Sequence, residues 1–204
     1  IPRYLQVGTD EVYGTLTEDG PSFLETKLLE PNNVYSATKA AADLLVRSYH
    51  KTYGLNVVTT RCCNNYGPRQ DTEKLLPKVI SNALNDVNIP VYGKGDNVRE
   101  WIYVTDHCRA IWEVFNSGAA GEIYNIGSGT EIVNLDIIKK ILRDVDKPFS
   151  LIKFVQDRPG HDFRYAIDNT KFMTMCPGFK FTSFDEGIKK TVAWYSQRFL
   201  DNAP

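Results

Sequence analysis

Two short clusters of reactive side chains in this sequence have a spacing that chemistry can use. In Tyr35-Ser36-Ala37-Thr38-Lys39 the phenol and the ammonium lie four residues apart, which puts them on one face of a helix. A positive charge beside a phenol favours phenolate, so Lys39 is expected to lower the pKa of Tyr35 toward the range of a general base. Upstream, Thr9-Asp10-Glu11-Val12-Tyr13-Gly14 follows directly on a predicted strand. In open α/β sheets the crevice beyond the strand C-termini is where ligands bind. A hydroxyl and two adjacent carboxyls at that edge can divide the work of an elimination, one group removing a proton and the other giving one to a departing oxygen. Close carboxyls also push their pKa values apart, which suits that division. Taken singly, the first cluster is also what a solvated helix face looks like, and the second what a polar turn at a strand end looks like.

The elements that must hold these clusters are legible from periodicity. Tyr4-Leu5-Gln6-Val7-Gly8 reads as a short strand, expected to be an inner strand of a sheet begun earlier. Residues 33–53 read as a helix, with Ala41, Leu44, Leu45 and Tyr49 at helical spacing and Gly54 as its stop. The β-branched run Val57-Val58-Thr59-Thr60-Arg61-Cys62 reads as a buried strand. Strand, helix and strand with short joins form a βαβ unit, hence a parallel sheet. After Pro68 the texture changes. Leu75 to Leu84 reads as a helix, residues 90–95 and 100–104 as short strands around Gly-rich turns, residues 105–115 as a helix and 122–126 as a strand. Asn134 is expected to cap the helix that carries Ile137, Ile138, Ile141 and Leu142. Ser183 and Glu186 fit a capping box, with Ile188, Val192, Tyr195 and Phe199 on one face behind it. The fold class is therefore α/β at first, followed by a mixed α+β portion, divided at residues 1–68 and 69–204.

Composition excludes several function classes. With 42% hydrophobic and 24% charged residues over 204 positions, the chain is an ordinary globular one. A net charge of -1 gives no footprint for nucleic acid. No apolar run is long enough to span a bilayer, and the first residues do not resemble a signal peptide. Cys62, Cys63, Cys108 and Cys176 lack the paired spacing of a metal site, so no metal is expected. They are read as buried free thiols of a cytoplasmic protein.

Further blocks join the two clusters: Arg61-Cys62-Cys63-Asn64-Asn65-Tyr66-Gly67-Pro68, Glu73-Lys74-Leu75-Leu76-Pro77, Asn97-Val98-Arg99-Glu100-Trp101, Gly121-Glu122-Ile123-Tyr124-Asn125-Ile126-Gly127 and Asp157-Arg158-Pro159-Gly160-His161-Asp162. In this order they resemble the extended short-chain dehydrogenase/reductase superfamily and, within it, the dTDP-glucose 4,6-dehydratases, nearly end to end. The resemblance implies a partial Rossmann-like, NAD-binding parallel sheet in residues 1–68 and a smaller nucleotide-sugar-binding portion in 69–204. It also implies a lyase of deoxysugar (rhamnose) biosynthesis that keeps NAD bound between turnovers, with homodimerisation through the helix carrying Tyr35.

The same resemblance distributes roles. Tyr35 as phenolate takes the proton of the sugar 4-hydroxyl while hydride leaves C4 for NAD, Lys39 holds the cofactor ribose, and Thr9 hydrogen-bonds near O4. Glu11 removes the C5 proton and Asp10 protonates the leaving C6 hydroxyl, after which hydride returns to C6. Asn65 contacts the cofactor and Asn64 the substrate. Lys74, Leu75, Pro90, Val91 and Tyr92 are expected at the nucleotide diphosphate and base. Arg99 is expected at the pyrophosphate, where its forked donors suit the ligand, and Asn134, Arg158 and His161 complete the substrate contacts. Gly127-Ser128-Gly129 lacks a third glycine in place and reads as a turn.

Two features of the family are not in this sequence: the Gly-rich loop after the first strand and the later acidic residue for the adenosine ribose. The chain is therefore expected to be a fragment, or one piece of a longer or split protein, inactive by itself. Rival readings are a UDP-glucose 4,6-dehydratase, an epimerase or decarboxylase on the same fold, and a non-catalytic binding protein. The Asp10-Glu11 pair speaks against the epimerase and decarboxylase, because neither must expel a C6 hydroxyl.

Overall fold

The structure is a computed structural model that describes residues 2–201. Its elements in chain order are β1 (Tyr4–Thr9), a 3-10 turn (Asp10–Tyr13), α1 (Val34–Tyr53), β2 (Val57–Cys62), β3 (Asn64–Tyr66), α2 (Leu75–Leu84), β4 (Ile89–Tyr92), β5 (Val98–Tyr103), α3 (Val104–Ser117), β6 (Ile123–Ile126), β7 (Glu131–Val133), α4 (Asn134–Asp144), β8 (Ile152–Val155), β9 (Arg164–Tyr165), α5 (Thr170–Met175) and α6 (Phe184–Asp201).

The α/β expectation holds in a parallel sheet of order β1-β2-β6. Tyr4 lies opposite Val57 and Thr9 opposite Cys62, while Cys62 also faces Ile126. All six residues of β2 are buried, as befits a central parallel strand covered on both faces. Among the described residues β1 has a partner on one side only, and Tyr4 and Val7 are exposed.

Helix α1 starts at a capping box: the Ser36 N–H donates to Asn33 Oδ1 at 2.9 Å, and the Asn33 N–H donates to Ser36 Oγ at 3.3 Å. It ends at Gly54, whose φ of 65° is the left-handed stop that the sequence suggests. Its apolar stripe is not core, however. Leu44, Leu45, Tyr49 and Tyr53 are exposed, and the side facing the sheet carries Ser36, Ala40 and Asp43. Periodicity identifies a helix without saying what covers its apolar face.

Beyond the parallel sheet, β5 joins β3 (parallel), β7 (antiparallel) and β9 (parallel), and β4 pairs β8 in parallel. One apolar core lies around β2, β6 and α3; the other gathers α2, α4 and α6 with Tyr66, Val91 and Trp101. Ile137, Ile138, Ile141 and Leu142 of α4 are fully buried in the second, each stabilising by roughly 1.5–3 kcal/mol. Residues on both sides of position 68 contribute to the parallel sheet, since β6 is its third strand.

Three local expectations are corrected. Asn134 is the first residue of α4 rather than its cap, and its side chain makes no capping bond. Carbonyls of the β4–β5 connection cap the helix instead. The Asn97 carbonyl accepts from the Asn134 N–H and the Gly95 carbonyl from the Leu135 N–H, both at 3.0 Å. The capping box at Ser183 is half made. Its hydroxyl accepts from the Glu186 N–H at 3.3 Å, while the Glu186 carboxylate pairs with Lys190 at 2.6 Å. All four cysteines are free, but only Cys62 and Cys63 are buried; Cys108 is exposed and Cys176 half-buried. No helix among the described residues is long and apolar enough to cross a membrane.

Candidate active site

The cluster of Thr9, Asp10 and Glu11 forms where β1 ends. Thr9 stays extended and caps the 3-10 turn, its hydroxyl accepting from the Glu11 N–H at 3.4 Å and donating to Asp10 Oδ1 at 3.3 Å. The turn sends two consecutive carboxyls to different surroundings. Asp10 is 2% exposed and its Oδ2 has no partner, whereas Glu11 is half-buried and faces a cavity. Burial first, then the charges of Glu100 and Glu11, push the Asp10 pKa well above the carboxylate range; Arg99 and the Thr9 hydroxyl offset this only in part. That shift favours the acid form of Asp10, the form able to give a proton. Glu100 stands behind it, 1% exposed, with its carboxylate accepting from the Gly129 N–H at 2.7 Å and the Ile167 N–H at 3.0 Å.

Tyr35 and Lys39 share a face of α1, but their electrostatics differ from expectation. The Lys39 ammonium donates to the Val7 carbonyl of β1 at 2.8 Å. Tyr35 is pushed above the ordinary tyrosine value, by burial first and then by Glu11, Cys62 and Asp10. The expected lowering fails because burial and the neighbouring Glu11 disfavour the phenolate while the ammonium is turned to the strand. Asn65 points back into the protein, its amide donating to Cys62 Sγ at 3.4 Å and to the Cys63 carbonyl at 3.3 Å, with Oδ1 buried and unpartnered. Tyr35, Lys39 and Asn65 are the groups on this chain that can hold a cofactor at the sheet edge.

From Glu11 and Tyr35 a cavity of about 480 Å³ runs past Asn64, Lys74, Leu75, Arg99, Asn134, Arg158 and His161. A second, of about 230 Å³, continues over Pro90, Val91 and Tyr92 and shares Glu73, Leu75, Asn134, Arg158 and His161 with the first. The two make one cleft, which gathers the residues expected for substrate except Thr9, buried beneath its floor with Asp10. Asn64 Oδ1, Asn134 Oδ1 and Trp101 Nε1 are buried without partners along its wall, the state of groups that await a polar ligand. Arg99 is 7% exposed. Its guanidinium donates to the carbonyls of Val98 (2.8 Å), Phe163 (3.0 Å) and Asp162 (2.7 Å), with its Cζ 4.4 Å from the Tyr165 ring centroid. At the far end, the Arg158 guanidinium lies 5.1 Å from the Tyr92 ring centroid, and His161 Nδ1 is 2.7 Å from Asp157 Oδ1.

Sequence reasoning gives no role to several wall residues: Asn33, Glu73, Trp101, Pro159, Gly160, Asp162 and Tyr165. Most stand inside the recognised blocks. Asn33 reads only as the start of a helix. Tyr165 gives no signal, because it reaches the site through β9, a two-residue strand, where its hydroxyl donates to Asp162.

Comparison with known proteins extends this geometry. The pattern of the GDP-mannose 4,6 dehydratase family matches residues 2–191. A dTDP-glucose 4,6-dehydratase of Streptomyces niveus is 46% identical over 195 residues, covering 96% of this chain and 57% of that protein. The low-salt glycan biosynthesis protein Agl12 of Haloferax volcanii is 54% identical over 196 residues, covering 96% of this chain and 62% of its own length. Among solved structures, the DesIV dTDP-glucose 4,6-dehydratase double mutant of Streptomyces venezuelae, with NAD and DAU bound, superposes with a TM-score of 0.93 at 45% identity. That superposition covers 97% of this chain and 61% of DesIV. The chain thus spans less than two thirds of the relatives it matches.

Proposed function

We propose, from the premise that the chain belongs to the GDP-mannose 4,6 dehydratase family, that the protein containing it is an NAD-dependent lyase. It converts dTDP-glucose to dTDP-4-keto-6-deoxyglucose with loss of water. One observation carries this reading: a carboxyl buried in surroundings that favour its acid form, Asp10, directly beside a carboxyl open to the cleft, Glu11. An elimination needs such a pair, whereas an epimerisation or decarboxylation has no C6 hydroxyl to expel.

In this reading residues 1–68 carry the catalytic groups and 69–204 mainly the nucleotide-sugar wall. Tyr35 accepts the proton of the sugar 4-hydroxyl, with Thr9 near the same oxygen. The orphaned Asn65 Oδ1 and the Tyr35–Lys39 face fit NAD, which supplies the acceptor and later the donor of hydride. Once C4 is a ketone, the C5 hydrogen is acidic and Glu11 removes it. Asp10 delivers its proton to the C6 oxygen as the C6–O bond breaks, so that water leaves. Arg99 and Lys74 take the pyrophosphate, and Leu75, Pro90, Val91 and Tyr92 take the base. Asn64, Asn134, Arg158 and His161 complete the contacts. Because Tyr35 is pushed upward, its work as a base is favoured as pH rises. Homodimerisation belongs to the reading, supported by the exposed Leu44, Leu45, Tyr49 and Tyr53 of α1. So does a cytoplasmic setting, supported by four unpaired thiols.

The test uses the intact protein with dTDP-glucose and, separately, UDP-glucose, following the mass of the product. Loss of one water that disappears in Asp10→Asn/Glu11→Gln is expected with dTDP-glucose. Preference for UDP-glucose transfers the reading to that nucleotide, and a product that keeps its C6 hydroxyl replaces it by the epimerase or decarboxylase reading.

A further inference from the structure

Tyr13, Arg61 and Asn125 each sit in a recognised sequence block, yet none reaches the cleft. Together with Asp43 they form one buried chain of contacts. Asp43 lies on α1 at the next four-residue step after Tyr35 and Lys39, so it belongs to the same stripe of the helix. Its Oδ2 accepts from Arg61 Nε on β2 at 2.8 Å, and both side chains are almost fully buried. The Arg61 guanidinium carbon lies 4.8 Å from the centroid of the Tyr13 ring. Tyr13 closes the 3-10 turn that begins with Asp10 and Glu11. Its hydroxyl donates to Asn125 Oδ1 on β6 at 2.7 Å, and the Asn125 amide donates to the Phe23 carbonyl at 2.8 Å.

The approach of α1 to β1 is part of the same arrangement. A Cβ on Gly8 would stand 2.7 Å from the Thr60 carbonyl oxygen and 3.2 Å from Asp43 Oδ1. The Thr60 carbonyl leaves no room for a side chain at position 8, and the Asp43 carboxylate packs closely on the same glycine, two residues before Asp10. The contacts therefore run from the helix of Tyr35 and Lys39, through β2, to the turn of Asp10 and Glu11, and end on β6. A buried ion pair is weak stabilisation compared with apolar packing; its worth here lies in fixing register.

We propose that Asp43, Arg61, Tyr13 and Asn125 are positioning residues that hold the elimination pair, Asp10 and Glu11, in register with the oxidation pair, Tyr35 and Lys39, so that both act on one bound sugar. This inference rests on the dehydratase reading. The two pairs must address C4 and then C5 with the exocyclic C6 of the same sugar in succession, and a small shift between their elements leaves oxidation intact while slowing elimination.

The experiment is Tyr13→Phe in the intact enzyme, which removes one oxygen and keeps the ring. We expect kcat to fall about tenfold, the effect of one unsatisfied buried acceptor, with KM little changed. The absorbance of reduced nicotinamide should rise during turnover, because the second stage lags the first. Asp43→Asn, and the double variant with Tyr13→Phe, should lose no more than the worse single variant, in kcat and in unfolding free energy measured without cofactor, as residues of one unit do. Tyr13→Phe decides alone if Asp43→Asn does not fold. Wild-type activity with Tyr13→Phe within twofold in kcat and no rise in absorbance overturns the bridge and leaves the dehydratase reading standing. Multiplying losses in the double variant also overturn the bridge. A wild-type enzyme that releases no water overturns the dehydratase reading and this inference with it.

Discussion

The two ends of the cleft are built in opposite ways. At the β1 end the reacting groups come from one short run, Thr9 to Glu11, and from one helix face, and Asp10 is sealed from water. At the far end Pro90–Tyr92, Arg99, Asn134, Arg158 and His161 arrive from separate segments, and Tyr92 and Arg158 are exposed. Proton transfer gains from a dry, rigid setting in which charges act at full strength. Recognition of a large, charged ligand needs reach instead, and residues from several segments supply it. The division teaches that electrostatics at one end and surface at the other can be perturbed almost independently.

Asp10→Asn breaks the comparison most severely. It should lower kcat by about 10²–10⁴-fold, the usual contribution of a general acid, and leave nucleotide-sugar binding by the isolated ground state close to wild type in calorimetry. It should also raise the unfolding midpoint at neutral pH. A carboxyl with a raised folded pKa stabilises the fold at low pH and loses that contribution as pH rises through the folded value; the neutral amide has nothing to lose. A lower midpoint would show that the carboxyl is not a burden.

A smaller effect is expected at Glu100→Gln. Asp10 must be protonated to act, so activity falls as pH rises through its pKa. Removing the Glu100 charge, which helps push that pKa up, should move the alkaline limb of kcat/KM to lower pH. An unmoved limb would mean that burial alone keeps the proton. At the other end, Tyr92→Ala should raise KM about tenfold through lost ring contacts while kcat stays near wild type. A large fall in kcat would erase the distinction between the two ends.

What is legible in the sequence follows the same division. Val57–Cys62 and Leu75–Leu84 are found with the bounds that their residue patterns suggest, because β-branched runs and helical spacing are local signals. Thr9, Asp10, Glu11, Tyr35 and Lys39 stand out because they lie close together in the chain. The direction of the Tyr35 shift does not, since it depends on burial of the phenol and on Glu11, Cys62 and Asp10 brought to it by other elements. Nor does the role of Asn134, whose helix is capped by carbonyls from the loop before β5. Leu44, Leu45 and Tyr49 are rightly helical, but their exposure depends on what packs against α1, which no local pattern encodes.

The isolated Oδ2 of Asp10 also bears on what the fold alone would choose. A neutral side chain of similar size at position 10 would avoid burying a carboxyl oxygen that has no partner. The acid is therefore a residue that packing by itself does not ask for.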